Sequence, residues 1–399
     1  MKLLYIHQYF QTPQDHGGTR SYWISKELVK RGHDVTMLTT SNQIESSMER
    51  VSIEGIVVIY LKIPYTQNLS IFKRSVSFFN FMLKSSVIAL KEKNVDLVIA
   101  TSTPLTVGFP ALLVKKIKKI PFLFEVRDLW PEVPIQMGGL NNKVLIKVAT
   151  WFEKLIYVNA QHIVALSPGM QKGIVGRGIS PQKVNMIPNM SKIDTFSSRE
   201  KKTHLIDKLG LQPSTFKVVY FGAMGIANGM DYIVEGIKKL EGQKELEFIF
   251  IGGGSRESAL KKKCEDMISS THFLGGIGLE ELSEIVNLCD ISLVTFADIP
   301  ILATNSPNKL FDSLSAGKPI IVNSPGWTRD LVEDHNCGFF VDPKSPQDLA
   351  SKILYLQKQP EVCKEMGLNS RKLAETKYDK SILCKKFVDV VESLQPNNA

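Results

Sequence analysis

The stretch NSPNKLFDSLSAGKPIIV, residues 305–322, holds the most chemistry per residue in this chain. A polar loop runs into a short helix, a glycine turn and an apolar strand. The free amides of a first helical turn beginning near Ser306, Pro307 and Asn308, together with the cation Lys309, suit a phosphate. Asp312, about one turn further on, can accept hydrogen bonds from hydroxyls. A sugar joined to a diphosphate would satisfy both halves of such a site. The alternative is a capped helix feeding an ordinary α/β strand.

Three glycine-rich loops each follow an apolar run, where ligands bind in open parallel sheets. The first carries Gly17 and Gly18 before Thr19 and Arg20, with His16 just ahead of them. The second runs from Gly222 through Gly225 to Asn228 and Gly229, and the third is Gly252, Gly253, Gly254 and Ser255. None has the G-x-G-x-x-G spacing of a dinucleotide fold or the spacing of a P-loop, which disfavours a nicotinamide dehydrogenase and a P-loop kinase. A tight turn with no ligand is the plain alternative for each. The segment EVRDLWPE, residues 125–132, adds Arg127, Asp128 and Trp130 at another strand end. Arg127 could bind phosphate or orient Asp128, and Trp130 could stack on a sugar face; an Arg–Asp pair pinning a loop is the alternative. There is no Asp-x-Asp, His-Glu-x-x-His or Cys/His cluster, so no dedicated metal site is expected. Hydrolase chemistry has no visible carrier, since G-x-S-x-G is also missing.

These loops need a frame, and the apolar runs supply one. Runs at Leu3–Ile6, Val35–Leu38, Ile53–Ile63, Leu97–Ala100, Phe122–Val126, Ile163–Leu166 and Val184–Ile187 alternate with helical patterns. Those helices are expected from Thr19, near 71–92, around 143–158 and after Ser167. The second half repeats the scheme with strands at Val218–Phe221, Phe248–Ile251, Ile291–Val294 and Ile320–Val322. Such alternation predicts α/β architecture with parallel sheets covered on both faces, in two doubly wound, Rossmann-like domains. Turn residues at 188–194 mark the junction, and an amphipathic helix is expected from about Asp379 to Leu394.

A chain of 399 residues is typical of two domains. Its five cysteines form no Cys-x-x-Cys pair, which predicts reduced, buried thiols and a cytoplasmic setting. The opening MKLLYIHQYF reads as a first strand rather than a signal peptide, and no apolar run is long enough to span a membrane. Net charge is +9, but residues 1–194 hold 24 Lys+Arg against 13 Asp+Glu, leaving 25 against 27 in the remainder. All the net positive charge therefore sits in the first half. There Ile71, Phe72, Val76, Phe79, Leu83, Val87 and Leu90 recur at helical spacing beside Lys73, Arg74, Lys84, Lys91 and Lys93. Lys115, Lys116, Lys118 and Lys119 form a second basic cluster. Such a surface can dock on an anionic membrane without spanning it, unless the apolar stripe faces the core. Nucleic acid is not expected, as no binding motif accompanies the lysines.

Taken in order and spacing, these segments resemble glycosyltransferase family 4 enzymes of the GT-B fold over nearly the whole chain. The resemblance rests on SYWISKELVKRGHDVTMLT after the first glycine loop, EVRDLWPE, KVNMIPNMSKIDTF, VVYFGAMGIANGMDYI and SPNKLFDSLSAGKPIIV. The forms RDLWPE and NSPNKLFD look most like bacterial O-antigen and capsule enzymes, including the WbuB-type L-fucosamine transferases. The resemblance implies two Rossmann-like domains facing a central cleft: residues 1–190 binding the acceptor, 191–378 binding a nucleotide-sugar donor, and 379–399 a helix packing back on the first. It implies a retaining, metal-independent transfer from a UDP-sugar, with no further cofactor. The expected acceptor is an undecaprenyl-diphosphate-linked saccharide, reached from the cytoplasmic face of the membrane. A UDP-sugar epimerase of the same fold, or a non-catalytic partner in polysaccharide assembly, are the alternatives.

The chain departs from the family's pattern at three kinds of position. The Glu-x7-Glu pair falls on Thr304 and Asp312, so only the second carboxylate survives. The Arg and Lys that usually grip the diphosphate fall on Ala223 and Asn228, and the usual first-domain His falls on Arg127. The expectation is therefore that Lys309 and the amides after Ser306 hold the diphosphate, with Arg20 or Arg127 as further cations. Gly17, Gly18, Gly222, Asn228 and Gly253 would line the ligand, and Arg127, Asp128 and Asp312 would serve the reaction.

Overall fold

The structure is a computed structural model and describes residues 1–15, 17–64, 71–197, 199–243, 245–265, 267 and 270–395. It divides into two compact units. Residues 1–12, 17–188 and the stretch from Ser381 onward make the first, and residues 189–380 form the bulk of the second.

The first unit holds an eight-stranded sheet made of β1 (Lys2–Ile6), β2 (Asp34–Ser41), β3 (Met48–Ile53), β4 (Ile56–Lys62), β5 (Leu97–Thr101), β6 (Phe122–Val126), β7 (His162–Ala165) and β8 (Val184–Met186). Their order is β3-β4-β2-β1-β5-β6-β7-β8, and every pair is parallel except β3 with β4. Leu3, Leu4, Tyr5 and Ile6 are all fully buried, as a central parallel strand covered on both faces requires. The run expected as one strand over 53–63 is instead a hairpin. Glu54 and Gly55 both take positive φ, and Met48–Ile53 folds back antiparallel on β4. The sequence MERVSI hides this edge strand because its polar residues lack the apolar run of an interior one.

Helices Ile71–Lys91, Gly108–Lys118 and Lys143–Asn159 connect successive strands, with the first packed on the second and the second on the third. The apolar stripe of the Ile71–Lys91 helix does not face the core along its length. Val76, Phe79, Leu83 and Val87 are 51–60% exposed, while Phe81 and Ala89 are buried. The side chains of Ile71 and Phe72, part of the expected stripe, lie outside the described residues, as does His16.

The second unit holds β9 (Phe216–Phe221), β10 (Leu246–Ile251), β11 (Ser270–Phe273), β12 (Ile291–Val294), β13 (Ile320–Val322) and β14 (Gly338–Phe340), in the order β11-β10-β9-β12-β13-β14. All pairs are parallel. This is the doubly wound order with its switch point between β9 and β12, where a crevice opens beyond the carboxyl ends of the strands. Of the two edge strands outside the expected set, β11 (STHF) has no apolar run, whereas β14 (GFF) is apolar but only three residues long. The helix expected at the C-terminus spans Lys380–Ser393, and Arg31 of the first unit pairs with its Asp389 and Glu392 at 2.9 and 3.0 Å.

Candidate functional site

At the switch point of the second sheet the helix Asn308–Ser315 is almost wholly buried, and small hydroxyl residues let it lie close to the strands. Ser313 Oγ donates to the Lys309 carbonyl at 2.6 Å and lies 2.7 Å from Ser292 Oγ on β12. Pro307 supplies the N-cap with extended backbone, and no described side chain caps the turn. The first-turn amides near Asn308 are thus open to an anion. Ser306 is tied differently: its Oγ accepts from the Asn189 amide at 3.1 Å, and its carbonyl accepts from the Asn189 side chain at 2.5 Å.

Lys309 rises from the first turn beneath the loop that follows β9. Its Nζ donates to the Tyr220 hydroxyl at 2.7 Å and to the Asn228 side-chain oxygen at 3.1 Å. The ammonium also stands 4.1 Å from the centre of the Tyr220 ring, within cation–π range. Tyr220 in turn donates to the Ala223 carbonyl at 2.6 Å. The two positions that lack the family's cations, Ala223 and Asn228, are therefore both hydrogen-bonded into one network with Lys309 at its middle. Burial pushes the Lys309 pKa down to about 7. Gly222 covers it closely, for a β-carbon there would stand 3.5 Å from Lys309 Cε. A side chain at this exposed position would screen the cation from a ligand.

The glycine loops after β9 and β10 are built against each other. Gly222 N–H donates to the Ile251 carbonyl and Met224 N–H to the Gly253 carbonyl, both at 2.8 Å. Gly252 has φ +119, and a β-carbon there would lie 2.1 Å from the Gly222 carbonyl oxygen. The glycine at 252 thus answers a packing demand, and it sets where the loop carrying Asn228 begins.

Asp312 does not join Lys309. It is buried, with its Oδ1 2.8 Å from Lys192 Nζ. Burial raises its pKa and the neighbouring Lys192 opposes that rise. Residues 189–192 run along the helix, where Ser191 Oγ donates to the Phe311 carbonyl and Lys192 N–H to Ser315 Oγ. Thr304, where a glutamate is usual, spends its hydroxyl on the Ile301 carbonyl at 2.7 Å.

In the first unit, Arg20 is a brace. Its Nε donates to Glu125 Oε1 at 2.8 Å, and its other nitrogens donate to the Pro188 and Ile187 carbonyls. Thr101 donates to the second oxygen of Glu125. Both charges are buried, so the pair joins the helix Arg20–Lys30, β6 and the end of β8. Gly17, at φ +135, lies in the same unit against Gln11, and Gly18 is half-buried.

Arg127 and Asp128 follow β6 and take separate partners. Arg127 Nη1 lies 3.3 Å from His7 Nε2, and its amide donates to Ser102 Oγ at 3.0 Å. Asp128 Oδ2 accepts from Thr103 Oγ1 at 3.0 Å, and burial raises its pKa. A guanidinium can only donate, so His7 Nε2 accepts and the ring proton sits on Nδ1, 2.7 Å from Ser21 Oγ. Burial, reinforced by Arg127, holds the His7 pKa well below its ordinary value, leaving the ring neutral. Trp130 is half-buried.

Lys192, Tyr220 and His7 escaped the reading of the sequence. His7 stands directly after β1 at the switch point between β1 and β5, and that position was its signal. Among the described residues no group of three or more His, Cys, Asp or Glu is arranged to hold a metal ion.

Fold and site together define a class, the two-unit α/β proteins of GT-B type. Residues 17–190 match the family description "Glycosyl transferase 4-like domain" and residues 201–373 match "Glycosyl transferases group 1", so the chain belongs to the GT-B glycosyltransferases related to these two groups. Sucrose-phosphate synthase from Thermosynechococcus elongatus has the same fold, with a TM-score of 0.78 at 16% identity over 98% of each chain. Anabaena HepE in complex with UDP-glucose gives 0.71 at 16% identity, over 99% of this chain and 100% of that one. The alpha-galactosylglucosyldiacylglycerol synthase of Streptococcus pneumoniae is 23% identical over 286 residues, 70% of this chain and 71% of that protein. The chain spans about half the length of two further curated relatives, 52% and 48%.

Proposed function

We propose that the protein is a retaining glycosyltransferase that needs no dedicated metal and moves a sugar from a UDP-sugar to a lipid-linked saccharide. The observation that carries this reading is the Lys309, Tyr220 and Asn228 network at the open helix start. In the transfer, the bond from the anomeric carbon to the UDP oxygen breaks, a bond to an acceptor hydroxyl oxygen forms on the same face, and the hydroxyl proton passes to the departing diphosphate. Negative charge grows on the departing diphosphate, and a cation and amides fixed beside it lower the barrier. Lys309 supplies the cation, the first-turn amides near Asn308 supply the donors, and Gly222 and Gly253 allow close approach. Asp312, oriented by Lys192, receives donor hydroxyls. Arg127 and Asp128 serve the acceptor, with His7 positioning Arg127. Arg20 is assigned to the fold of the first unit rather than to the diphosphate.

A UDP-sugar donor is supported by the HepE structure, which is a complex with UDP-glucose. A lipid-borne acceptor at the inner membrane face is supported by the name of the pneumococcal relative and by the basic first half. The sugar is assigned as an N-acetylated deoxyhexosamine such as N-acetyl-L-fucosamine, in O-antigen or capsule assembly, from the RDLWPE and NSPNKLFD forms. The non-catalytic alternative drew on the neutral residues at Thr304, Ala223 and Asn228; Lys309 supplies a cation beside Asn228 and, through Tyr220, near Ala223, while Thr304 keeps its hydroxyl on the Ile301 carbonyl. UDP release from UDP-N-acetyl-L-fucosamine with membrane-extracted acceptor tests the proposal. Release that needs acceptor supports it; epimerised nucleotide sugar formed without acceptor would replace it with an epimerase.

A further inference from the structure

Three helices of the first unit share one electrostatic character. Ile71–Lys91, Gly108–Lys118 and Lys143–Asn159 together contain ten Lys or Arg, no Asp and one Glu. That one acid, Glu153, is buried with its carboxylate 2.9 Å from Arg177. The helices therefore present cations to solvent with no exposed acid among them.

They present apolar side chains as well. On Lys143–Asn159, Val144, Leu145, Val148 and Trp151 are 54–68% exposed, and spacings of three and four put Val144, Val148 and Trp151 in one stripe. Lys143, Lys147 and Lys154 lie beside them. The exposed stripe on Ile71–Lys91, already described, has Lys73, Lys84 and Lys91 alongside, and Ile117 stands exposed on the helix between. Large apolar groups held in water over three adjacent helices mark a surface awaiting a partner.

We infer that this three-helix face docks on an anionic lipid bilayer, with Trp151 and Phe79 entering the interfacial layer and the lysines meeting lipid phosphates. Charge selects the occupant. A second copy seated face to face would set the same cations against each other, because a two-fold interface repeats one patch. An anionic bilayer answers both features, since it takes apolar and aromatic side chains at its interface and attracts each nearby cation. The inference deepens the lipid-linked acceptor reading, which it would serve by bringing the first unit to the membrane.

The test is flotation of the full chain with vesicles of phosphatidylcholine containing phosphatidylglycerol, and with vesicles of phosphatidylcholine alone. Binding is expected only to the anionic vesicles and should weaken with salt. Three lysines near the surface contribute about 1 kcal/mol each, so replacing Lys143, Lys147 and Lys154 with Gln should weaken binding on the order of a hundredfold. Trp151→Ser with Phe79→Ser should also release the protein, and Trp151→Phe should remove a vesicle-induced blue shift of tryptophan emission. These positions are exposed, and an unchanged UDP affinity would show that the variants remain folded. Binding that ignores both sets of substitutions overturns the inference, as does a concentration-dependent dimer abolished by them. A protein that never floats yet transfers sugar to a soluble acceptor would sink the docking face and leave the sugar-transfer reading standing. The reverse pattern, flotation without any UDP binding, would sink that reading alone.

Discussion

Lys309 Nζ lies 3.1 Å from the side-chain oxygen of Asn228, so a neutral residue standing where the family usually has a cation is hydrogen-bonded to a cation arriving from another element. The cation comes from 81 residues further along the sequence. Tyr220 makes this possible by giving the buried ammonium both a hydroxyl and a ring face.

A pH dependence follows from that burial. Free Lys309 has a pKa of about 7, and a bound diphosphate would raise it. Above pH 7 the complex then holds one more proton than the free protein, so UDP affinity should fall as pH rises, by up to about tenfold per pH unit. Calorimetry at pH 8 in buffers of different ionisation enthalpy should report uptake of a proton on binding. Lys309→Arg should abolish the uptake; its persistence would assign the proton elsewhere.

Asp312 and Lys192 form a buried ion pair in the second unit. Removing one partner of such a pair strands the other charge and costs about 3–5 kcal/mol. Asp312→Asn should lower stability in urea by that order, and Asp312→Asn combined with Lys192→Met should recover much of it. Additive losses in the double variant would show that the two side chains are not coupled.

Gly252 tests the loop packing on which the site rests. With φ +119 and a carbonyl oxygen 2.1 Å from any β-carbon, Gly252→Ala should cost roughly 2–4 kcal/mol. Gly276→Ala has open space around it and serves as the control, expected to stay within about 0.5 kcal/mol of the parent. Equal melting temperatures for the two variants would contradict the packing described.

The sheets were legible because parallel strands buried on both faces read as unbroken apolar runs, as in the Leu3–Ile6 and Phe248–Ile251 segments. Edge strands such as Met48–Ile53 carry no such signal. Lys309 was legible because a loop, a lysine and a helix start are adjacent in sequence. Its partner Tyr220 was not, since a tyrosine inside an apolar strand reads as core, and 89 residues separate the two. Lys192 was hidden for a similar reason: it sits among turn residues that mark a junction, and only folding brings it to Asp312, 120 residues away in the sequence.

The central claim is that Lys309 holds the diphosphate in place of the charges lacking at Ala223 and Asn228. Isothermal titration of UDP into the parent and into Lys309→Met, whose side chain keeps much of the buried volume, tests it most directly. A hydrogen bond to a charged group contributes about 1.5–3 kcal/mol, so UDP binding should weaken roughly ten- to hundredfold while the thermal unfolding curve keeps its cooperativity. A folded Lys309→Met protein that binds UDP as tightly as the parent would contradict the account.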